Sequence, residues 1–189
     1  MHRARAWFAA LGPRSVLRYV ERQAQVVNRG EADMMQEALF GKAPTFNTDV
    51  GFSFALSPDE KALTASFGGL EAVIEGASAP PIVTRVFSFS LPLSSVQLGQ
   101  EIPFFVSGFV FSEREATAHL LFSINDQSTV IDFPANSETD FVHELKYTPR
   151  EAADVRMTVF LLADRDSNSD SAVHINVTAI DTDMVKHKP

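Results

Sequence analysis

The sequence contains no cysteine. It therefore has no disulfide framework, no thiolate metal site and no cysteine nucleophile. The lack of cysteine does not predict the localisation of the protein, because both exported and cytoplasmic proteins can lack cysteine. Long apolar runs are also missing. The run from Ile102 to Phe111 stops at about ten residues, whereas a membrane-spanning helix needs about 20, and we expect no segment to cross a bilayer.

Acidic residues are scarce at the N-terminus and dominate elsewhere. Residues 1–30 contain six arginines and one glutamate and so carry +5. Since the whole chain carries −8, the remainder carries −13. An acidic body repels phosphate backbones, and we expect no nucleic-acid partner.

Residues 1–45 are predicted to form a helical N-terminal segment with two short helices. The first helix begins at Ser15 and places four apolar residues at helical spacing, with arginines on the opposite face: Val16, Val20, Ala24 and Val27. The second helix is predicted over residues 31–40 and ends at Gly41. The arginine-bearing helix has three alternative roles. It folds back on the acidic body, which we favour, or docks on a protein partner or second subunit, or, least favoured, binds an anionic membrane.

From residue 46 the apolar period changes from 3.6 to two. Three strands are predicted between residues 50 and 74, in a meander with turns at Ser57-Pro58 and Gly68-Gly69. Seven more are predicted over residues 82–91, 102–112, 116–124, 128–133, 139–147, 154–163 and 171–181. The strand at 102–112 is apolar on both faces, which is typical of a central strand or of an edge that pairs with another subunit.

About ten short strands with no helix between them predict an all-β fold. An antiparallel β-sandwich over residues 46–183 is favoured, and a barrel is the alternative. Residues 184–189 are predicted to be a C-terminal tail. The hairpin Phe54-Ala55-Leu56-Ser57-Pro58-Asp59 and Ala62 to Phe67, with the later segments Phe87 to Leu93 and Val106-Ser107-Gly108-Phe109, resembles the bacterial and fungal secreted β-sandwich proteins grouped as DUF4360. That resemblance implies the fold and no particular activity.

One loop has a metal-like pattern of hard oxygen ligands. Asp164, Asp166, Asn168 and Asp170 alternate between the last two predicted strands, a spacing that can converge on Ca²⁺. The twelfth position is Ile175 rather than the glutamate of an EF-hand, so the alternative is a polar hairpin loop. Calcium is the only cofactor for which the sequence offers candidate ligands.

No catalytic constellation is visible in the sequence. Three histidines, His119, His143 and His174, lie in separate predicted strands, and none forms a metal-binding pair. No Gly-x-Ser-x-Gly elbow and no phosphate-binding loop are present. We therefore predict no catalytic and no cofactor-binding residues.

The aromatic residues are 16 Phe, two Tyr and one Trp. Phe favours the core, whereas sugar-binding platforms usually use Trp and Tyr, so the set points first to core packing. A sandwich without a nucleophile or cofactor motif is more often a recognition scaffold than an enzyme. The sequence favours a non-catalytic binding or assembly module. The alternatives are a hydrolase whose residues converge only in space and a calcium-dependent surface-binding domain.

Overall fold

The computed structural model describes residues 45–46, 50–58, 61–92, 101–151 and 154–183. The two predicted N-terminal helices and the predicted tail at 184–189 lie outside these residues. Within the described ranges the regular secondary structure consists of strands. No helix suited to crossing a membrane occurs there.

Eleven strands follow one another along the described residues. They are Thr45–Phe46 (β1), Gly51–Leu56 (β2), Ala62–Gly68 (β3), Glu71–Ile74 (β4), Ile82–Leu91 (β5), Ile102–Ser112 (β6), Ala116–Ile124 (β7), Gln127–Phe133 (β8), Glu138–Tyr147 (β9), Val155–Arg165 (β10) and Val173–Asp183 (β11). The predicted strands at 82–91, 102–112 and 116–124 have the bounds of β5, β6 and β7.

The strands form two antiparallel sheets. The five-stranded sheet has the order β1-β5-β10-β7-β8, and the six-stranded sheet has the order β2-β3-β11-β6-β9, with β4 also paired to β11. Every pairing is antiparallel. The all-β antiparallel sandwich is confirmed, and the barrel alternative is wrong because the strands divide between two sheets.

The core lies between the two sheets and follows from the alternation of side chains along each strand. In β6, Phe104, Val106 and Val110 point inward and are fully buried. A phenylalanine cluster joins the sheets, and the rings of Phe67 on β3 and Phe87 on β5 lie 5.0 Å apart. Such aromatic pairs add stability beyond the apolar area they bury.

The predicted meander near the start of the sandwich is wrong. β3 and β4 do not pair with each other, and both pair antiparallel with β11. They are two successive segments along the same side of β11, interrupted at Gly69, whose φ of +84° is left-handed and favours glycine. Because Gly69 changes the chain's conformation without reversing its direction, β4 continues along β11.

β6 is an interior strand of the six-stranded sheet. It pairs with β11 on one side and with β9 on the other. The alternative of an edge strand that pairs with another subunit is therefore wrong for β6. The inward side chains of β6 pack into the core, whereas its outward side chains are half-buried. The strand is therefore central in its sheet, although only one of its two apolar faces packs into the core.

Four connections meet at one end of the sandwich, which we call the loop end: residues 75–81, 113–115, 134–137 and 166–172. Backbone hydrogen bonds join them. The Glu113 N–H donates to the Ala172 carbonyl at 3.0 Å, and the Asp166 N–H donates to the Glu115 carbonyl at 3.1 Å. The loop end is therefore a cross-linked surface rather than a set of independent loops.

Candidate functional site

A cleft of about 470 Å³ lies at the loop end. We call it the end cleft. It is lined by Phe111, Ser112, Glu113, Arg114, Asn136, Ser137, Glu138 and Ser171. The lining combines one aromatic ring with carboxylate, guanidinium, amide and hydroxyl groups, a composition that can hold a ligand by contact and fix it by hydrogen bonds.

The floor of the end cleft is held by bonds between β6 and the connection that leads into β9. The buried hydroxyl of Ser112 donates to the Pro134 carbonyl at 2.9 Å and accepts from the Ser137 N–H at 3.1 Å. The Ser112 N–H donates to the Ser137 carbonyl at 2.8 Å. The floor is fixed before any ligand arrives, which lowers the entropy cost of binding.

Glu113 and Asn136 define one wall of the end cleft. The Glu113 carboxylate accepts a hydrogen bond from the Ala172 N–H at 2.7 Å. Asn136 has a φ of 61°, a left-handed conformation that asparagine tolerates better than most residues. One Glu113 oxygen is therefore engaged within the protein, and the Asn136 amide is set at the tip of its turn.

Arg165 joins three segments of the loop end. The residue is 6% exposed. Its two terminal nitrogens donate to the carbonyls of Gly76, Ala79 and Ser171 at 2.9, 2.9 and 3.2 Å. Its Nε is buried without a hydrogen-bond partner. Because Ser171 lines the end cleft, Arg165 holds one of its walls in place.

An aromatic stripe continues from the end cleft along the outer face of the six-stranded sheet. Phe105, Phe109 and Phe111 point outward from β6 because their neighbours in the strand point into the core. Val142 on β9 lies opposite Ser107 and is 66% exposed. We call this stripe, with the carboxylates beside it, the aromatic face.

Carboxylates flank the stripe on both sides. On β9, Glu138 lies opposite Phe111, Asp140 opposite Phe109 and Glu144 opposite Phe105. These three side chains are exposed.

On the other side of the stripe, Asp181 of β11 lies opposite Phe105. Its Oδ1 accepts a hydrogen bond from the Thr64 hydroxyl at 2.6 Å. Glu71 of β4 lies one strand further out, opposite Asn176 of β11. The apolar stripe therefore has an acidic border on β9 and a mixed border on β11, where Asp181 lies beside Phe105 but Asn176 and His174 lie opposite Phe109 and Phe111.

His174 sits at the β11 border of the aromatic face. Its Nε2 lies 3.0 Å from Glu71 Oε2, and its ring meets Phe109 edge to face with centroids 6.5 Å apart. These contacts fix the imidazole beside the stripe, where it can contribute a polar contact to a ligand.

The other two histidines lie elsewhere. His119 Nδ1 is 2.7 Å from Asp132 Oδ1, and His119 Nε2 is 3.4 Å from the Thr117 hydroxyl. This group lies on the outer face of the five-stranded sheet, and His143 packs against the rings of Phe133 and Phe141. The three histidines are not brought together.

The candidate calcium ligands are divided between a strand and a loop. Asp164 belongs to β10 and lies opposite Ile82 and Thr117. Asp166, Asn168 and Asp170 are exposed in the connection to β11, where Asp166 Oδ1 accepts a hydrogen bond from the Asn168 N–H at 3.1 Å. In the described ranges, no group of three or more His, Cys, Asp or Glu side chains is placed to hold a metal ion. The calcium site stays a prediction.

Sequence reasoning missed the aromatic face and Arg165. The sequence shows that Phe104 and Phe105 must point to opposite faces of a strand. Because both residues are apolar, however, the sequence predicted a strand covered on both faces rather than an exposed aromatic stripe. The charged residues that alternate along β9 were the available signal. They become a border of the stripe only once β9 is known to pair with β6.

No protein-family model and no curated protein matches the sequence. Among solved structures, the chain is similar to TmCBM61 in complex with beta-1,4-galactotriose, with 14% identity over 66% of this chain and 88% of that chain and a TM-score of 0.29. It is also similar to the family 11 carbohydrate-binding module of the cellulase Lic26A-Cel5E of Clostridium thermocellum, with 14% identity over 83% and 95% and a TM-score of 0.27. TM-scores this far below 0.5 establish neither a shared fold nor a shared ligand.

Proposed function

We propose that the protein is a non-catalytic β-sandwich binding module whose ligand surface is the end cleft together with the aromatic face. The observation that carries this proposal is that the end cleft and the aromatic face form one continuous surface. Phe111 and Glu138 are cross-strand neighbours that line the cleft and also end the aromatic stripe. A ligand anchored in the cleft therefore extends directly onto the outer face of the sheet.

The chemistry of this surface suits binding. The end cleft, of about 470 Å³, is wide open to solvent, so it suits an extended ligand that lies along the surface rather than a small molecule that is enclosed. The phenylalanine rings supply apolar contact area, and Arg114, Asn136 and the carboxylates supply orientation. Apolar contacts surrounded by polar groups are the usual composition of a recognition surface.

The distribution of the histidines supports a role without catalysis. The His119–Asp132 pair and the His174–Glu71 pair lie on opposite sheets, and neither histidine lines the end cleft. A hydrolase would need its nucleophile, base and oxyanion donors within reach of one reacting atom. In the described residues no observation favours that alternative, so the binding module is preferred.

Two predictions from the sequence accompany this proposal. The calcium-dependent alternative rests on the loop of Asp166, Asn168 and Asp170, at the same end of the sandwich as the cleft, and its test is given in the Discussion. The resemblance to DUF4360 also remains a prediction. It adds the expectation of a β-sandwich and names no ligand.

The experiment is a thermal-shift screen of the full chain against oligosaccharides and synthetic peptides, followed by calorimetric titration of any ligand found. Phe111→Ala and Glu138→Gln should each weaken binding by about tenfold, because we place both among the few anchor residues that carry most of the binding energy of an interface. Val130→Ala is the matched control, since Val130 is 52% exposed on the opposite sheet. Binding that depends on Val130 and not on Phe111 would place the ligand elsewhere and refute the proposal.

A further inference from the structure

We propose that the aromatic face binds a basic amphipathic peptide segment of a partner protein. This inference rests on the proposed function and names the class of ligand. The feature behind it is the arrangement of charge around the apolar stripe. A ligand that matches this arrangement needs an apolar ridge with positive charge on the flank that lies over β9.

Carboxylates outnumber lysine and arginine side chains on the aromatic face. The described side chains of its strands include five outward carboxylates, of which Glu71 is paired with His174: Glu71, Glu138, Asp140, Glu144 and Asp181. Among the described residues of the face, Lys146 is the only lysine or arginine, and its ammonium is paired with Glu101 at 2.9 Å. The hydrogen bond and charge of Glu101, followed by the charge of Glu144, raise the pKa of Lys146. The local field therefore favours cations.

The β9 carboxylates are not neutralised within the described part of the chain. Glu138, Asp140 and Glu144 form no ion pair there. All three are exposed along one side of the stripe. Their mutual repulsion is relieved when lysine or arginine side chains of a ligand lie between them, and this is the electrostatic complementarity that selects a cationic partner.

The dimensions of the face fit a helix. Six residues separate Phe105 from Phe111, which corresponds to about 20 Å along β6. The borders on β9 and β11 are two strand spacings apart, about 10 Å, close to the diameter of an α-helix, about 10–12 Å. A helix of about 13 residues laid along β6 covers the stripe and places one flank above the β9 carboxylates and the other beside Asp181.

The test uses the full chain and a labelled peptide of leucine and lysine. The leucines form one helical ridge, and lysines flank it on both sides. A second peptide of identical composition has the order shuffled so that no ridge forms. Fluorescence anisotropy should show the patterned peptide binding about tenfold more tightly than the shuffled one, and added salt should weaken that binding, because exposed charges are screened.

Two variants locate the binding site. Phe109→Ser removes the centre of the stripe, and Asp140→Asn with Glu144→Gln neutralises the β9 border. Each should weaken binding of the patterned peptide by about tenfold. Asp132→Asn is the matched control because it removes an exposed carboxylate from the opposite sheet. Circular dichroism confirms that each variant remains folded.

The possible results separate this inference from the proposed function. If an oligosaccharide binds in a manner that depends on Phe109 while the patterned peptide does not bind, the peptide inference is overturned and the binding module stands. If the patterned and shuffled peptides bind equally, attraction is only by net charge, and the inference is again overturned. If no ligand of either type depends on the aromatic face or the end cleft, both proposals fall.

Discussion

Asn176 and Phe109 lie opposite each other on neighbouring strands, and the Asn176 side-chain oxygen Oδ1 accepts a hydrogen bond from the Phe109 backbone N–H at 2.9 Å. The register between β11 and β6 shifts just beyond this pair, between Val177 and Ala179. A side chain therefore completes the hydrogen bonding where the ladder is irregular. This bond links the backbone of Phe109 on the aromatic face to β11.

We expect Asn176→Ala to lower the free energy of unfolding by about 1–2 kcal/mol, because the half-buried Phe109 N–H loses its acceptor. Urea denaturation followed by far-ultraviolet circular dichroism measures the change. Thr178→Ala is the control. The Thr178 hydroxyl donates to the Ser107 carbonyl at 3.2 Å but is exposed, and water can replace it, so the loss should stay below about 0.5 kcal/mol. Equal losses would contradict the role given to Asn176.

Gly108→Ala should destabilise the protein by about 3 kcal/mol or more. A Cβ at this position would lie 2.0 Å from the Asn176 carbonyl oxygen and 2.7 Å from the Phe141 ring. The backbone must move to relieve the first contact, which is the most costly form of overpacking. Gly68→Ala is the matched control, since its Cβ meets nothing closer than 3.9 Å. A fully stable Gly108→Ala protein would show that the two strands are further apart.

Replacing Arg165 should increase the local opening of the loop end more than it increases the global unfolding of the sandwich. Arg165→Met removes the guanidinium donor from the carbonyls of Ala79 and Ser171, and from that of Gly76, which keeps the Ala79 N–H as a donor. We expect the free energy of unfolding to fall by about 2–4 kcal/mol. Hydrogen exchange should accelerate most in residues 75–81 and 166–172. Arg165→Lys keeps a charge with fewer donors and should recover part of the loss. Uniform acceleration across all strands would contradict a local role.

The calcium prediction is tested by thermal denaturation. If Asp164, Asp166, Asn168 and Asp170 hold Ca²⁺, the melting temperature should rise with the logarithm of calcium concentration above Kd, and a hundredfold excess over Kd should add about 2.7 kcal/mol. Asp166→Ala should abolish that rise, and magnesium is the control ion. A calcium-dependent rise that survives Asp166→Ala would show that the loop is not the site.

The strands were predictable because apolar alternation is a local property. In β5, the inward Phe87 and Phe89 alternate with outward serines, and the predicted bounds are those observed. The same signal could not distinguish a meander from the observed arrangement, because Gly68-Gly69 marks a break in the strand and does not tell whether the chain reverses there. The direction of the chain follows only from the pairing of both β3 and β4 with β11.

The candidate site was less predictable because it depends on register. Glu138 and Phe111 are far apart in sequence and become neighbours through the β6–β9 pairing. Arg165 was equally hidden, because its carbonyl partners at Gly76 and Ala79 lie almost 90 residues earlier in the chain. Hydrophobic periodicity reports which residues face the core and does not report which strands are neighbours.

The charged residues of β9 have a consequence for the solution behaviour of the protein. β9 ends the six-stranded sheet, so its outer backbone groups form an open edge that another chain could extend into a fibril. The exposed charges of Asp140, Glu144 and Lys146 oppose such growth by repulsion and hydration. Aggregation resistance and ligand recognition thus draw on the same side chains. A homologue that lost these charges would need a different safeguard along this edge, such as a proline or a covering loop.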